Sequence, residues 1–204
     1  MPLAVGFDLD MTLIDPRPGM VAAMAALAAE TGLPLDGEYF AANLGPPLDM
    51  IFRGFEAPEE RIPWLVDRFR ALYPEIVIPA TVALPGATEA LAAVHEAGGR
   101  TLVVTGKYGP NAAKHLAQFG WTVDVLVGER WSTAKGETLL EHGATIYIGD
   151  HEGDMAGALA AGALAIGVPT GPHSAADLRA AGADVVLTNL TEFPAWLKSH
   201  LAAH

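Results

Sequence analysis

The chain has 204 residues, enough to bury a real core and to form one domain with a substantial insertion, or one larger and one small domain. It has no cysteine, which excludes disulfides, thiolate metal sites and cysteine nucleophiles, so any metal would be held by oxygen or histidine. With 12 Lys and Arg against 24 Asp and Glu the formal charge is −12, which disfavours nucleic acid or an anionic membrane as a partner.

No apolar run reaches the roughly eighteen residues that span a bilayer, and the first residues lead into a strand without a basic leader. A soluble cytoplasmic protein is expected. Leu3-Ala4-Val5-Gly6-Phe7 reads as a strand buried on both faces, as in a parallel sheet, and Asp8 and Asp10 follow where it should stop. Side chains two apart on an extended chain point the same way, so both carboxylates should face one crevice at the carboxyl edge of the sheet, where open α/β folds bind ligands. Two such charges repel unless a divalent cation sits between them or one keeps its proton.

Asp15-Pro16-Arg17-Pro18-Gly19 reads as a turn or hinge. Helices are then expected from about Met20 to Gly32, from Asp36 as N-cap to Asn43, from Asp49 to Phe55 and from Ile62 to Tyr73. Gly45-Pro46-Pro47-Leu48 breaks the pattern, and Ile76-Val77-Ile78 fits a strand or a helix. Residues 16–81 are far longer than the usual two to six residues of a βα connection, and read as an inserted helical domain. Residues 1–15 and 82–204 are left as the catalytic core.

From Pro85 onward helical segments alternate with short β-branched runs. Helix 86–98, strand 101–104, helix 110–119, strand 123–127, helix 134–142 and strand 145–148 are followed by helix 152–161, strand 164–168, helix 174–181, strand 184–187 and helix 191–202. The expected fold class is α/β: a Rossmann-like, doubly wound, mostly parallel sheet with the helical insert attached.

Strand ends should converge in such a sheet, and each carries polar residues. Thr105-Gly106-Lys107 ends one, Gly149-Asp150-His151-Glu152-Gly153-Asp154 ends another, and Lys135 opens the helix before the latter. Together with Asp8-Leu9-Asp10-Met11-Thr12 these resemble, in order and over nearly the whole chain, the four motifs of the haloacid dehalogenase superfamily. The resemblance implies that Asp8 is a nucleophile forming an aspartyl-phosphate, while Asp10 protonates the leaving oxygen and then deprotonates water. It implies Mg2+ held by Asp8, the Asp10 carbonyl and Asp150, with Asp154 in support. Thr105 and Lys135 would hold the phosphoryl group, the amides of Leu9 and Gly106 would donate to it, and Thr12 would fix the loop.

The insert resembles the cap of phosphoglycolate phosphatase-like members, a likeness strengthened by Leu84-Pro85-Gly86. That implies a lid hinged near Pro16–Pro18 and Pro79–Pro85, and a magnesium-dependent phosphatase acting on a small phosphorylated metabolite, with a phosphoglycolate-like substrate favoured over a sugar phosphate or nucleoside monophosphate. A monomer or homodimer is expected.

Taken singly, each residue has a commoner bland reading: Asp10 or Asp154 as a helix cap, Thr105 as a turn residue, Lys135 as a surface lysine. Their joint placement is what is specific. His151, without a spaced partner, reads as a loop residue. Lys107 either reaches substrate or is solvated. Arg17, Arg53 and the turn at 45–48 are the substrate candidates in the insert, although an arginine on an amphipathic helix is more often a surface residue. A dehalogenase would not need Asp10, and a phosphonate hydrolase would want a lysine in residues 16–81, which contain none. A phosphomutase of the β-phosphoglucomutase type and a signalling or binding phospho-acceptor module are the alternatives.

Overall fold

The computed structural model describes residues 2–203. In chain order they form β1 (Ala4–Phe7), β2 (Ile14–Asp15), α1 (Arg17–Thr31), α2 (Gly37–Ala42), α3 (Leu48–Gly54), α4 (Ile62–Ala80), β3 (Val82–Ala83), α5 (Ala87–Glu96), β4 (Arg100–Val104) and α6 (Gly109–Phe119). There follow β5 (Val125–Val127), α7 (Thr133–Glu141), β6 (Ile146–Gly149), α8 (Glu152–Ala161), β7 (Leu164–Gly167), α9 (Ala175–Ala180), β8 (Val185–Val186) and α10 (Phe193–Ala202).

Six strands form a parallel sheet in the order β5-β4-β1-β6-β7-β8. The chain moves outward from β1 through β4 and β5, then returns to the other side of β1 at β6. The order therefore reverses at β1, and a crevice opens at the carboxyl ends of β1, β4 and β6. Alternation along the strands splits the core. Val5, Phe7, Val103, Ile146 and Ile148 pack on the face covered by α5, α6 and α10, whereas Ala4, Leu102, Val104 and Tyr147 face α7, α8 and α9. The α/β fold and the parallel sheet agree with expectation, as do the βα units after Pro85, with strand 123–127 shortened to Val125–Val127 and a single 3-10 turn at Leu190–Glu192 before the last helix.

Between β2 and β3 the chain is helical. Asp36 caps α2 through its Oδ1, which accepts from the Tyr39 amide at 2.9 Å. The fourth helix runs past the expected end at Tyr73, and the run left open between strand and helix is helical: α4 continues through Ile76-Val77-Ile78 to Ala80. Its buried stripe of Ile62, Leu65, Phe69, Tyr73 and Val77 keeps helical spacing across Pro74, and burial of that stripe against α1 outweighs the lost backbone hydrogen bond. A two-stranded antiparallel ladder, Ile14 with Ala83 and Asp15 with Val82, joins the two connections between the helices and the sheet. Strands this short leave no periodic trace in sequence.

Candidate active site

β1 ends at Phe7, and the Asp8 amide still donates to the Ile148 carbonyl at 2.8 Å, so Asp8 is held between β1 and β6 at the sheet edge. The chain then turns back on itself. The amides of Leu13 and Ile14 donate to the Leu9 carbonyl at 2.9 and 3.0 Å, and Met11 takes a left-handed φ of 59°. This turn lifts Asp10 beside Asp8, while the Leu9 side chain is buried beneath it. Thr12 donates its hydroxyl to Asp150 Oδ1 at 2.9 Å, tying the turn to the end of β6.

Asp8, Asp10, Thr105, Gly106, Lys107, Lys135 and Asp150 all line one crevice. The loop after β4 is pinned from the neighbouring loop: the Arg130 amide donates to the Thr105 carbonyl and the Glu129 amide to the Lys107 carbonyl, both at 2.9 Å. Lys135 reaches in from the first turn of α7. Its Nζ donates to Asp8 Oδ1 at 2.9 Å, to Asp154 Oδ1, and to the Tyr147 hydroxyl at 3.0 Å, which in turn donates to the Val104 carbonyl at 2.6 Å. Gly6 makes this possible, because a Cβ there would sit 2.7 Å from the Tyr147 ring that crosses it.

Asp154 lies behind the crevice at the third position of α8, fully buried, with Oδ2 accepting from the His151 amide at 3.0 Å. His151 is the N-cap of that helix, its Nδ1 accepting from the Gly153 amide. Burial, and the charge of His173 after it, lowers the His151 pKa to about 4.

The electrostatics are those of an over-charged pocket. Burial raises the Asp150 pKa well above its ordinary value, and Asp154 and Asp8 push it further. Burial also raises Asp154. Burial opposes charge on Lys135, but Asp154 and Asp8 outweigh it and hold the ammonium well above its ordinary pKa. Burial raises Asp10 as well, against the lowering influence of Lys107, whose Nζ sits 2.9 Å from Asp10 Oδ2. Asp10 Oδ1 is buried with no partner among the described residues.

Four carboxylates thus meet two ammonium groups. Asp8, Asp150 and Asp154 each offer an oxygen within 4.8 Å of the others, an all-oxygen set that suits a hard divalent cation.

Arg17 and Arg53 are not brought to the crevice. Arg17, at the start of α1, is half exposed and paired with Asp15 at 2.6 Å, on the outer side of the insert. Arg53 is exposed on α3 and engaged by Asp49 at 2.6 Å and Glu59 at 2.8 Å. Lys107 is buried rather than solvated.

Sequence reasoning missed Tyr73, Tyr147 and Trp131. Tyr73 and Tyr147 fit a buried stripe and a buried strand, so nothing marked their hydroxyls. Trp131, an apolar residue in a loop four positions before Lys135, was the one available signal.

The profile of the haloacid dehalogenase-like hydrolases matches residues 5–168. The chain is 30% identical over 210 aligned positions to a protein of Dickeya dadantii strain 3937 named probable phosphatase IndB, covering 94% of this chain and 91% of that one. It is 26% identical to a phosphoglycolate phosphatase of Pectobacterium atrosepticum, over 92% and 89% of the two chains. The crystal structure of a predicted phosphatase from Clostridium acetobutylicum superposes with a TM-score of 0.84 at 24% identity, covering 98% of this chain and 99% of that one. A profile match that spans all four sequence motifs, on a fold shared end to end, makes this chain a member of the haloacid dehalogenase-like hydrolase family.

Proposed function

We propose that this haloacid dehalogenase-like phosphatase is magnesium-dependent and hydrolyses a small phosphomonoester through an aspartyl-phosphate on Asp8. The observation that carries the reading is the meeting of Asp8, Asp10, Thr105, Lys135 and Asp150 in one crevice. Asp8 attacks phosphorus, the ester P–O bond breaks, and Asp10 gives its proton to the departing alcohol oxygen through the unpartnered Oδ1. Asp10, now ionised, takes a proton from water as the water oxygen attacks phosphorus. Inorganic phosphate leaves and the Asp8 carboxylate is restored.

Burial favours the protonated form of Asp10 for the first step, and Lys107 favours the ionised form for the second. Lys135 holds Asp8 in line and, with Thr105 and the Gly106 amide, screens the phosphoryl oxygens. Mg2+ held by Asp8, the Asp10 carbonyl and Asp150, with Asp154 in support, would neutralise charge on the phosphoryl group. Leu44 and Gly45, in the turn of the insert between α2 and α3, border the crevice, which favours small substrates over macromolecular phosphoesters.

Phosphate release from a panel that includes phosphoglycolate, with magnesium or with chelator, tests the reading. Release is expected only with metal, and it should vanish in Asp8→Asn. Release that persists in that variant removes Asp8 as nucleophile, and equal release with chelator removes the metal.

A further inference from the structure

Next to the crevice lies a second cavity of about 430 Å³, between the helical insert and the sheet, sharing Asp10, Leu44, Gly45, Gly106, Lys107 and Trp131 with it. Since Asp10 stands at the junction, this cavity is where the alcohol part of a phosphomonoester would lie. The claim that follows therefore rests on the phosphatase reading.

Its walls are largely apolar. Aromatic rings come from Phe40, Phe69, Tyr73, Tyr108 and Trp131, and aliphatic surface from Met20, Leu48 and Val66. Its cations are already engaged. The Arg70 guanidinium is 2.9 Å from Glu129 and stacks 4.0 Å over the Tyr108 ring, and Lys107 is 2.9 Å from Asp10. Among the described residues no unpaired cation lines it, so a substrate carboxylate or second phosphate would enter apolar surroundings without a counter-charge.

One neutral polar side chain remains. Asn111 is only 3% exposed, lines the cavity, and its side-chain amide makes no hydrogen bond among the described residues. It offers one donor edge and one acceptor. The buried Arg70 Nε lacks a partner among the described residues, but it is closed off from the cavity and belongs to a guanidinium already met by Glu129. The volume is in the range that encloses a ring-bearing ligand, and the two carbons of glycolate would leave most of it unfilled.

We infer that the alcohol of the preferred substrate is an uncharged, ring-bearing body with an amide-type edge, of about nucleoside size, set among these aromatic walls with its edge toward Asn111. This differs from a carboxylate-bearing substrate such as phosphoglycolate, which the cavity gives no cation to receive.

The test is a matched pair of esters on the wild-type protein with magnesium. Uridine 5′-monophosphate and ribose 5-phosphate present the same primary phosphate on the same sugar, and only the former carries a planar base with an amide edge. Because stacking a base on aromatic side chains is worth a factor of about ten or more, kcat/KM for uridine 5′-monophosphate is expected to exceed that for ribose 5-phosphate and for phosphoglycolate by at least about tenfold. Asn111→Leu should narrow the first ratio, mainly through KM. Glu129→Gln, at an exposed position, should narrow the second by freeing the charge of Arg70.

Acetyl phosphate, too small to need the cavity, separates the two readings. If it is hydrolysed while ribose 5-phosphate or phosphoglycolate matches or exceeds uridine 5′-monophosphate, this inference is overturned and the phosphatase stands. If neither it nor any ester releases phosphate, the phosphatase reading falls and takes this inference with it.

Discussion

Lys107 Nζ lies 2.9 Å from Asp10 Oδ2 and also donates to the hydroxyl of Tyr73, which belongs to α4 of the helical insert. An ammonium can only donate, so the Tyr73 hydroxyl accepts from Lys107 and donates its own hydrogen bond to His115 Nε2, 2.8 Å away. The proposed acid is thus joined through one lysine to a residue of the insert and one of the sheet domain. The charge on Asp10 is thereby coupled to how the insert sits.

Replacing Lys107 by Met removes the main influence that lowers the Asp10 pKa and leaves burial unopposed. The ionised Asp10 needed to activate water would then appear only at higher pH. The acid-side limb of the pH–kcat profile is expected to move upward, with kcat at pH 7 falling by about tenfold or more, since a misplaced general base forfeits part of its usual factor. An unmoved limb would separate Lys107 from Asp10. Tyr73→Phe should move it in the same direction by less.

Lys135 is fully buried against Asp8 and Asp154. In Lys135→Met these carboxylates lose their counter-charge, and breaking a buried pair from one side costs about 3–5 kcal/mol. Urea denaturation should show that loss, and magnesium should recover part of it because the cation would supply positive charge to the same oxygens. Equal losses with magnesium and with chelator would argue that the cluster does not bind the metal.

Gly171 lies against Asp150: a Cβ at that position would stand 1.8 Å from Asp150 Oδ2. Gly171→Ala must therefore shift the carboxylate, although the new methyl touches no substrate. We expect magnesium affinity to weaken by about tenfold, the lower end of what disturbing a supporting contact costs a metal site. Titration followed by calorimetry reads this directly, and unchanged affinity would place Asp150 outside the metal site.

His115 is fully buried, and burial, then Lys107, lowers its pKa from 6.5 to about 3. Between those values the unfolded chain binds a proton that the folded chain refuses, so stability falls as pH drops below 6.5. From pH 7 to pH 5 the loss from this group is about 2 kcal/mol. His115→Gln cannot titrate, and its unfolding free energy should fall by correspondingly less over the same interval. Identical slopes for the two proteins would mean that the His115 pKa is not depressed.

Alternating βα segments after Pro85, the all-apolar strand before Asp8 and the carboxylates, threonine and lysine at strand ends were legible because each depends on local periodicity or on a residue next to a strand terminus. The extension of α4 was not legible at Ile76-Val77-Ile78, since three apolar residues fit either period, and only packing on α1 selects one. Arg17 and Arg53 looked available for substrate because sequence does not show that Asp15, Asp49 and Glu59 hold them.

What the amino-acid order alone determined is the α/β core and the set of groups delivered to the carboxyl edge of β1, β4 and β6, because strand direction and strand ends follow from short stretches of chain. Tertiary structure decided which of those groups meet. Lys107 with Asp10, Tyr147 across Gly6 to Lys135, and the aromatic cavity with its paired cations join residues from 12 to more than 100 positions apart. No local pattern records such meetings, since they arise only when the helices of the insert and the strands of the sheet bury their apolar faces together.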